Sequence, residues 1–188
     1  MVEESIRLKD RFFTEHGEKV LVAAQLLVEV FQTGGRVLIF GNGGSAADAQ
    51  HLAAEFVNRF QVERPPLAAL ALTTDTSILT AVGNDYDFRE IFAKQVRALG
   101  RLGDLAWGIS TSGNSPNVVA GLTTARELGL RTLALSGGEG GPVAAAAEMA
   151  LIVPSRTTPR VQEVHITLGH ALCDLVDYLL FPEKFAGE

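Results

Sequence analysis

The sequence predicts an α/β fold in which a five-stranded parallel sheet is flanked by helices. Five short apolar runs lie along the chain, at residues 37–40, 67–72, 105–109, 132–135 and 151–153. Each run is followed by glycine, serine or threonine and then by helical periodicity, so strands and helices alternate. The runs are apolar almost throughout, which is typical of parallel strands that helices cover on both faces.

A helical segment precedes the first strand. Residues 4–33 carry apolar side chains that reach helical spacing in the later part, and Gly34-Gly35 is a stop signal. We expect one long helix here, with a break near Gly17 as an open alternative. Such a helix either covers the sheet of its own chain or packs against another subunit.

The composition limits the classes of function. A chain of 188 residues with 47% hydrophobic residues is long enough for one domain with a substantial core, and we expect a single domain over residues 1–188. The net charge of -6 argues against direct binding to nucleic acid or to an acidic membrane surface. No apolar run reaches the roughly 18 residues of a spanning helix. The acidic start, Met1-Val2-Glu3-Glu4-Ser5, does not resemble a signal peptide.

The single cysteine bears on the compartment and on the core. Cys173 has no second cysteine with which to form a disulfide within the chain, and this fits a reducing cytoplasm. The residue lies in an apolar run, so we expect it to be buried as a small hydrophobic side chain.

Two polar loops follow strands, where parallel sheets bind ligands. The first, residues 41–45, is glycine-rich but matches neither a dinucleotide fingerprint nor a P-loop. The second, residues 110–115, holds four hydroxyl groups around a glycine at a helix start, and these groups can bind a phosphate together with the helix dipole. The alternatives are a tight turn at Gly43-Gly44 and helix capping by Ser112 or Ser115.

A possible metal or acid–base site follows the glycine turn. His51 and Glu55 are four residues apart, so they share one face of the predicted helix. Gln162 and His170 lie on the last predicted helix, eight residues or roughly 12 Å apart along its axis. Two nitrogen and two oxygen donors suit zinc or a related divalent ion. The alternatives are a surface His51–Glu55 pair and a separation between Gln162 and His170 too large for one ion.

These motifs together carry a resemblance to a known family. The pairing of Gly41-Asn42-Gly43-Gly44-Ser45 with Ser110-Thr111-Ser112-Gly113-Asn114-Ser115 resembles the sugar isomerase (SIS) domain family. The further matches are His51-Leu52-Ala53-Ala54-Glu55, Val82-Gly83-Asn84-Asp85, Gln162-Glu163-Val164-His165 and His170. With them the chain is similar to the phosphoheptose isomerases of bacterial heptose synthesis, over nearly its whole length.

The resemblance implies a flavodoxin-like SIS domain and a homotetramer with active sites at subunit interfaces, residues 1–34 serving in oligomerisation. It implies isomerisation of D-sedoheptulose 7-phosphate to D-glycero-D-manno-heptose 7-phosphate, with one zinc ion per subunit. The implied zinc ligands are His51, Glu55, Gln162 and His170. Glu55 and His170 are the implied acid–base pair. The implied substrate contacts are Asn42, Gly43, Gly44, Glu55, Asn84, Asp85, Ser110, Thr111, Ser112, Ser115 and Gln162.

A different function remains as an alternative. The DnaA initiator-associating proteins belong to the same subfamily and regulate replication without known isomerase chemistry. Stretches such as Phe56-Val57-Asn58-Arg59-Phe60 resemble them. This chain carries His170, and it carries Ser112 where those proteins have an arginine, so the sequence favours the enzyme.

Overall fold

A computed structural model describes residues 1–185 of the chain. Residues 186–188, the last part of the predicted domain and tail, lie outside the described residues. Seven helices are present in the described part: α1 (Val2–Gln32), α2 (Gly44–Val57), α3 (Thr76–Asp85), α4 (Ile91–Leu99), α5 (Pro116–Glu127), α6 (Gly141–Ala146) and α7 (Thr158–Leu180). The strands are β1 (Val37–Gly41), β2 (Ala69–Ala71), β3 (Leu105–Ser110), β4 (Arg131–Gly137) and β5 (Met149–Val153). Two 3₁₀ turns, Phe88–Glu90 and Pro182–Lys184, complete the fold.

The strands form one sheet in the order β2-β1-β3-β4-β5, and every neighbouring pair is parallel. This is the flavodoxin-like order, so the fold predicted from the alternating pattern is confirmed. The strand predicted at residues 67–72 is shorter, and before it begins the Leu67 N–H donates to the carbonyl of Phe56 at the end of α2. The chain order reverses between β1 and β3, and that switch point is where such sheets bind ligands.

Alternate side chains along the strands enter two separate cores, as the two-residue period of a strand requires. Val37 and Ile39 lie in the larger core, beneath α1, α2 and α7. Leu38 and Phe40 lie in the other core, beneath α3, α4, α5 and α6. Both faces of the sheet are therefore covered, which explains why the strands are apolar throughout.

Helix α1 is continuous through Gly17, so the alternative of a break there is wrong. Its buried side chains, Phe12 and Leu27 among them, pack against α7 and β5 of the same chain. The helix therefore covers its own sheet, while its residues Ile6 and Val22 are exposed. Cys173 is buried as predicted. Among residues 1–185, the structure has no helix with the length and apolar character that crossing a bilayer requires.

Candidate active site

The glycine turn and the hydroxyl-rich loop lie side by side at the switch point. Strands β1 and β3 are direct neighbours, with Gly41 paired to Ile109, so the residues that follow each strand emerge at the same edge. Asn42 is the first residue after β1, and Ser110 is the last residue of β3. The two loops chosen from the sequence are thus brought together by the sheet itself.

The hydroxyl-rich loop, residues 110–115, is held by its own hydrogen bonds. The Ser110 Oγ lies 2.9 Å from the Ser115 Oγ and 3.4 Å from the Ser112 Oγ. The backbone N–H of Asn114 donates to the Ser112 Oγ at 3.2 Å. These short distances bring three hydroxyl groups to the N-terminus of α5, where Ser115 makes no side-chain cap bond to the helix. The hydroxyl groups are therefore positioned for an anion rather than used up by capping.

A cavity of about 450 Å³ opens beside this loop. Thr111 and Ser112 line one side of it, and Gly137, Gly138 and Arg156 line another. The guanidinium of Arg156 is exposed and pairs with Glu139 at 2.6 Å. Glu139 lines the cavity as well, so the charge of Arg156 is paired there, and the remaining lining residues are neutral. A phosphate in the cavity would meet the hydroxyl groups of Thr111 and Ser112 on one side and the guanidinium of Arg156 on the other.

The glycine turn makes close approaches that larger residues would prevent. Gly43 has a φ of 57°, a conformation that favours glycine. A Cβ at Gly44 would overlap the side-chain amide of Gln162. The first turn of α7 therefore packs its glutamine directly on the start of α2.

The two histidines that the sequence singled out meet across α2 and α7. The Nε2 atoms of His51 and His170 lie 2.7 Å apart, and the His51 Nε2 lies 3.4 Å from the Glu55 Oε1. Only one of the two facing nitrogens can carry the shared proton, so at least one imidazole is neutral. The ring of Phe60 stacks on His170 with centroids 5.4 Å apart, a contact that the sequence did not reveal.

The surroundings of His170 favour its neutral form. Partial burial lowers its pKa below the usual value, and the neighbouring His51 lowers it further. The Glu55 carboxylate acts in the opposite direction and raises it. A histidine held neutral near pH 7 beside a carboxylate can exchange protons in either direction.

The donor set of this cluster fits zinc in its chemistry. Two imidazoles and one carboxylate are typical zinc ligands. Nitrogen ligands at about 2.0–2.1 Å from a tetrahedral zinc stand roughly 3.3 Å apart, so the rings of His51 and His170 would have to separate by about half an ångström. As they stand the two rings are hydrogen-bonded to each other, and among residues 1–185 no three His, Cys, Asp or Glu side chains are arranged around a common ion position.

The fourth predicted ligand, Gln162, lies apart from this cluster. Helices α2 and α7 run side by side in the same direction, with Gly44 beside Gln162 and Leu52 beside Gly169. Gln162 thus belongs to the start of this helix pair and His170 to a position about two turns further on. Within one chain the structure groups Gln162 with the glycine turn.

Asn84 and Asp85 end α3 on the exposed surface. The Asn84 Nδ2 donates to the Asp85 Oδ1 at 2.7 Å. Neither residue lines the cavity of about 280 Å³ next to Asn42, although Asp87 and Arg89 do. Their predicted contact with substrate stays a prediction.

Several other side chains near the site were given no role from the sequence alone. Arg59 pairs with Glu63, and Arg160 pairs with Glu163. Asn117 and Arg64 were missed, because each acts through contacts with residues distant in sequence. The only local signal was the position of Asn117, two residues after the hydroxyl-rich loop.

The chain was compared with known proteins. The family model described as the SIS domain matches residues 2–137. The chain is 58% identical to a phosphoheptose isomerase of Solidesulfovibrio magneticus over 96% of this chain and 88% of that protein. It is 55% identical to a phosphoheptose isomerase of Nitratidesulfovibrio vulgaris over 97% and 88% of the two chains. A solved phosphoheptose isomerase structure from Neisseria gonorrhoeae superposes with a TM-score of 0.88, at 49% identity and over 94% of each chain.

A match of this extent, together with the strand order and the two loops at the switch point, settles the relationship. The chain belongs to the SIS domain family and, within it, to the phosphoheptose isomerases.

Proposed function

We propose that this protein is an aldose–ketose isomerase that interconverts D-sedoheptulose 7-phosphate and D-glycero-D-manno-heptose 7-phosphate, the first step of ADP- or GDP-heptose synthesis. The observation that carries the proposal is the contact of His51, Glu55 and His170 across α2 and α7. The names of the relatives agree with it, since both curated proteins described above are phosphoheptose isomerases. The presence of His170 and Ser112 argues against the initiator-associating alternative.

The reaction moves one proton between neighbouring carbons. A base removes a proton from C1 of the ketose, the C1–C2 double bond of an enediol forms, and the C2 oxygen takes up a proton. Loss of the proton on the C1 oxygen and return of a proton to C2 complete the aldose. We assign Glu55 as the base at carbon and His170 as the group that exchanges protons with oxygen.

The phosphate would be held at the hydroxyl-rich loop. Ser110, Thr111, Ser112 and Ser115 supply neutral donors, and the N-terminus of α5 supplies partial positive charge. Asn42, Gly43, Gly44 and Gln162 would contact the sugar, because they lie at the neighbouring start of α2.

We also propose one zinc ion per subunit. His51, Glu55 and His170 would hold it. Gln162 would complete the ligand set only if its side chain moved away from Gly44, or if the Gln162 of another subunit reached the ion. When bound, zinc supplies a Lewis acid that polarises the substrate carbonyl. Glu55 and His170 would then both bind zinc and transfer protons. The dependence of turnover on zinc measures how strongly the reaction needs the ion.

A homotetramer with interfacial active sites and a cytoplasmic location complete the proposal. The exposed apolar residues Ile6, Leu21 and Val22 of α1 support an interface on this helix. The single, buried cysteine is compatible with a reducing compartment.

The test is incubation of the purified protein with sedoheptulose 7-phosphate, with and without zinc, while NMR follows the aldose phosphate. We expect turnover that rises with zinc and is lost in His170→Ala. The matched control is His16→Ala, which removes a histidine of α1 outside the site and should retain turnover. Absence of turnover with every divalent ion, in protein that is folded, would overturn the proposed function.

A further inference from the structure

A reciprocal pair of side-chain amides joins the two loops at the switch point. The Asn42 Nδ2 donates to the Asn117 Oδ1 at 2.8 Å, and the Asn117 Nδ2 donates back to the Asn42 Oδ1 at 2.8 Å. Asn42 follows β1, and Asn117 is the second residue of α5. The pair therefore bridges the glycine turn and the hydroxyl-rich loop, across 75 residues of sequence.

The direction of this pair is determined by the backbone. The N–H of Val118 also donates to the Asn117 Oδ1, at 2.9 Å. A backbone N–H can only donate, so this end of the Asn117 amide must be its oxygen and the other end its nitrogen. The oxygen of Asn42 must then face the nitrogen of Asn117. The backbone of α5 thus decides which end of the Asn42 amide is donor and which is acceptor.

The pair leaves Asn42 with defined free capacity. A side-chain amide has two N–H donors and two acceptor lone pairs, and the pair uses one of each. Both residues line the cavity of about 280 Å³, but Asn117 is only 2% exposed, whereas Asn42 is half-buried. The remaining N–H and lone pair of Asn42 are therefore the ones a ligand can reach.

We infer that Asn117 is a positioning residue for sugar-phosphate turnover: it fixes the rotation of the Asn42 amide and holds the glycine turn at a constant distance from the hydroxyl-rich loop. A sugar phosphate has to be bound at both loops at once, with its hydroxyl groups on one and its phosphate on the other. Holding the loops in register sets the place of the reacting carbons relative to Glu55. This inference rests on the proposed function.

The test is a double-mutant cycle on kcat/KM with Asn42→Ala, Asn117→Ala and the double variant. Small displacements in an active site lower rates by up to about a hundredfold, so we expect Asn117→Ala to lower kcat/KM by roughly tenfold to a hundredfold. If Asn117 acts through Asn42, the double variant loses no more than Asn42→Ala alone. Independent losses that multiply in the double variant would overturn the inference, and so would unchanged kcat/KM in Asn117→Ala.

A matched control separates positioning from stability. Gln95 is another buried side-chain amide, and it donates to the carbonyls of Leu72 and Ile91 without touching either loop. Gln95→Ala should lower the free energy of unfolding as Asn117→Ala does but leave kcat/KM close to the unchanged protein. An equal loss of kcat/KM in both variants would show a general effect of destabilisation and would contradict the role of Asn117.

A readout without substrate distinguishes this inference from the proposed function. Hydrogen exchange of the Asn42 side-chain N–H₂ group, followed by NMR, should be slowed in the unchanged protein and lose that protection in Asn117→Ala, while backbone amides of α5 stay protected. If the protein shows no isomerase turnover, the proposed function fails, and this exchange result still decides whether the pair exists. Unprotected Asn42 protons in the unchanged protein would overturn the pair itself.

Discussion

At the scale of single residues, burial and hydrogen bonding determine the charge of His165. His165 is 1% exposed and lies 3.1 Å, through its Nε2, from the carbonyl oxygen of Ser136 in β4. Its Nε2–H donates to that carbonyl, and among the described residues its buried Nδ1 has no partner. Burial lowers its pKa to about 4, so the ring is neutral in the folded protein. His165 is therefore a packed core histidine.

His165 should make the fold sensitive to acid. Between pH 6.5 and about 4 the unfolded chain binds a proton at this histidine that the folded chain does not, so stability falls as pH decreases through this range. We expect the loss to reach at most roughly 3 kcal/mol at the lower limit. Urea unfolding at several pH values measures it. His165→Gln, which can still donate to Ser136, should flatten this part of the profile, and the control His16→Gln should not. An identical slope in His165→Gln would contradict the assignment.

Gly43 and Gly44, in the turn after β1, show what a single added Cβ atom would change. A side chain at Gly44 would force the amide of Gln162 to move, because a Cβ there would overlap it. The glycine in this turn therefore serves two purposes: its neighbour Gly43 adopts a positive φ, and Gly44 admits a side chain from another helix. The sequence suggested the first purpose and gave no sign of the second.

At the scale of elements, the buried side chain of Arg64 caps the C-terminus of α2 and links that helix to α7. The Arg64 Nε donates to the Asp177 Oδ1 at 2.8 Å, and its Nη atoms donate to the carbonyls of Glu55 at 2.9 Å and Phe56 at 2.6 Å. The guanidinium satisfies carbonyls that the end of a helix leaves without partners. It does so beside Glu55 and joins the two helices that bring His51 to His170.

Removing that guanidinium should cost much of the stability. In Arg64→Ala the Asp177 carboxylate is left buried without its cation, and such losses cost about 3–5 kcal/mol in free energy of unfolding. Urea unfolding provides the measurement. The matched control is Arg59→Ala, which breaks the exposed pair with Glu63 and should cost about 1 kcal/mol or less. Comparable costs for the two variants would show that the buried arrangement contributes no more than a surface pair.

At the scale of the whole molecule, the chain leaves apolar surface uncovered on α1. The inner side of this helix closes the larger core, while Ile6 and Val22 are 61% and 53% exposed. An amphipathic helix that keeps large apolar groups exposed is suited to contact another copy of the chain. This is the physical basis for expecting residues 1–34 to serve in oligomerisation.

That expectation has a direct test in solution. Val22→Arg places a charge in the proposed interface, so sedimentation should show a shift from the proposed tetramer to smaller species, since an unpaired buried charge opposes association. The matched control is Leu102→Arg, which changes another apolar residue, 85% exposed, in the turn before β3. An unchanged tetramer in Val22→Arg, or a monomer in the unchanged protein, would contradict an interface on α1.

The fold and the loops could be predicted because their signals are local. The run of Val37 to Phe40 is apolar at every position, so it had to be a strand buried on both faces, and it is. The clustering of Ser110, Thr111, Ser112 and Ser115 likewise marked a loop at a helix start. The exception was the edge strand β2, which is shorter than predicted and follows a hydrogen bond from Leu67 to Phe56 at the end of α2.

By itself the sequence determined the order of strands and helices, the two polar loops and the residues able to donate protons or bind an ion. Only the tertiary structure decided which of these residues meet: His51 with His170 across 119 positions, Asn42 with Asn117 across 75, and Gln162 with Gly44 instead of the histidines. The physical reason is that periodicity and turn chemistry act within a few residues. Contacts between helices depend instead on how side chains fit once the sheet has set the helices side by side.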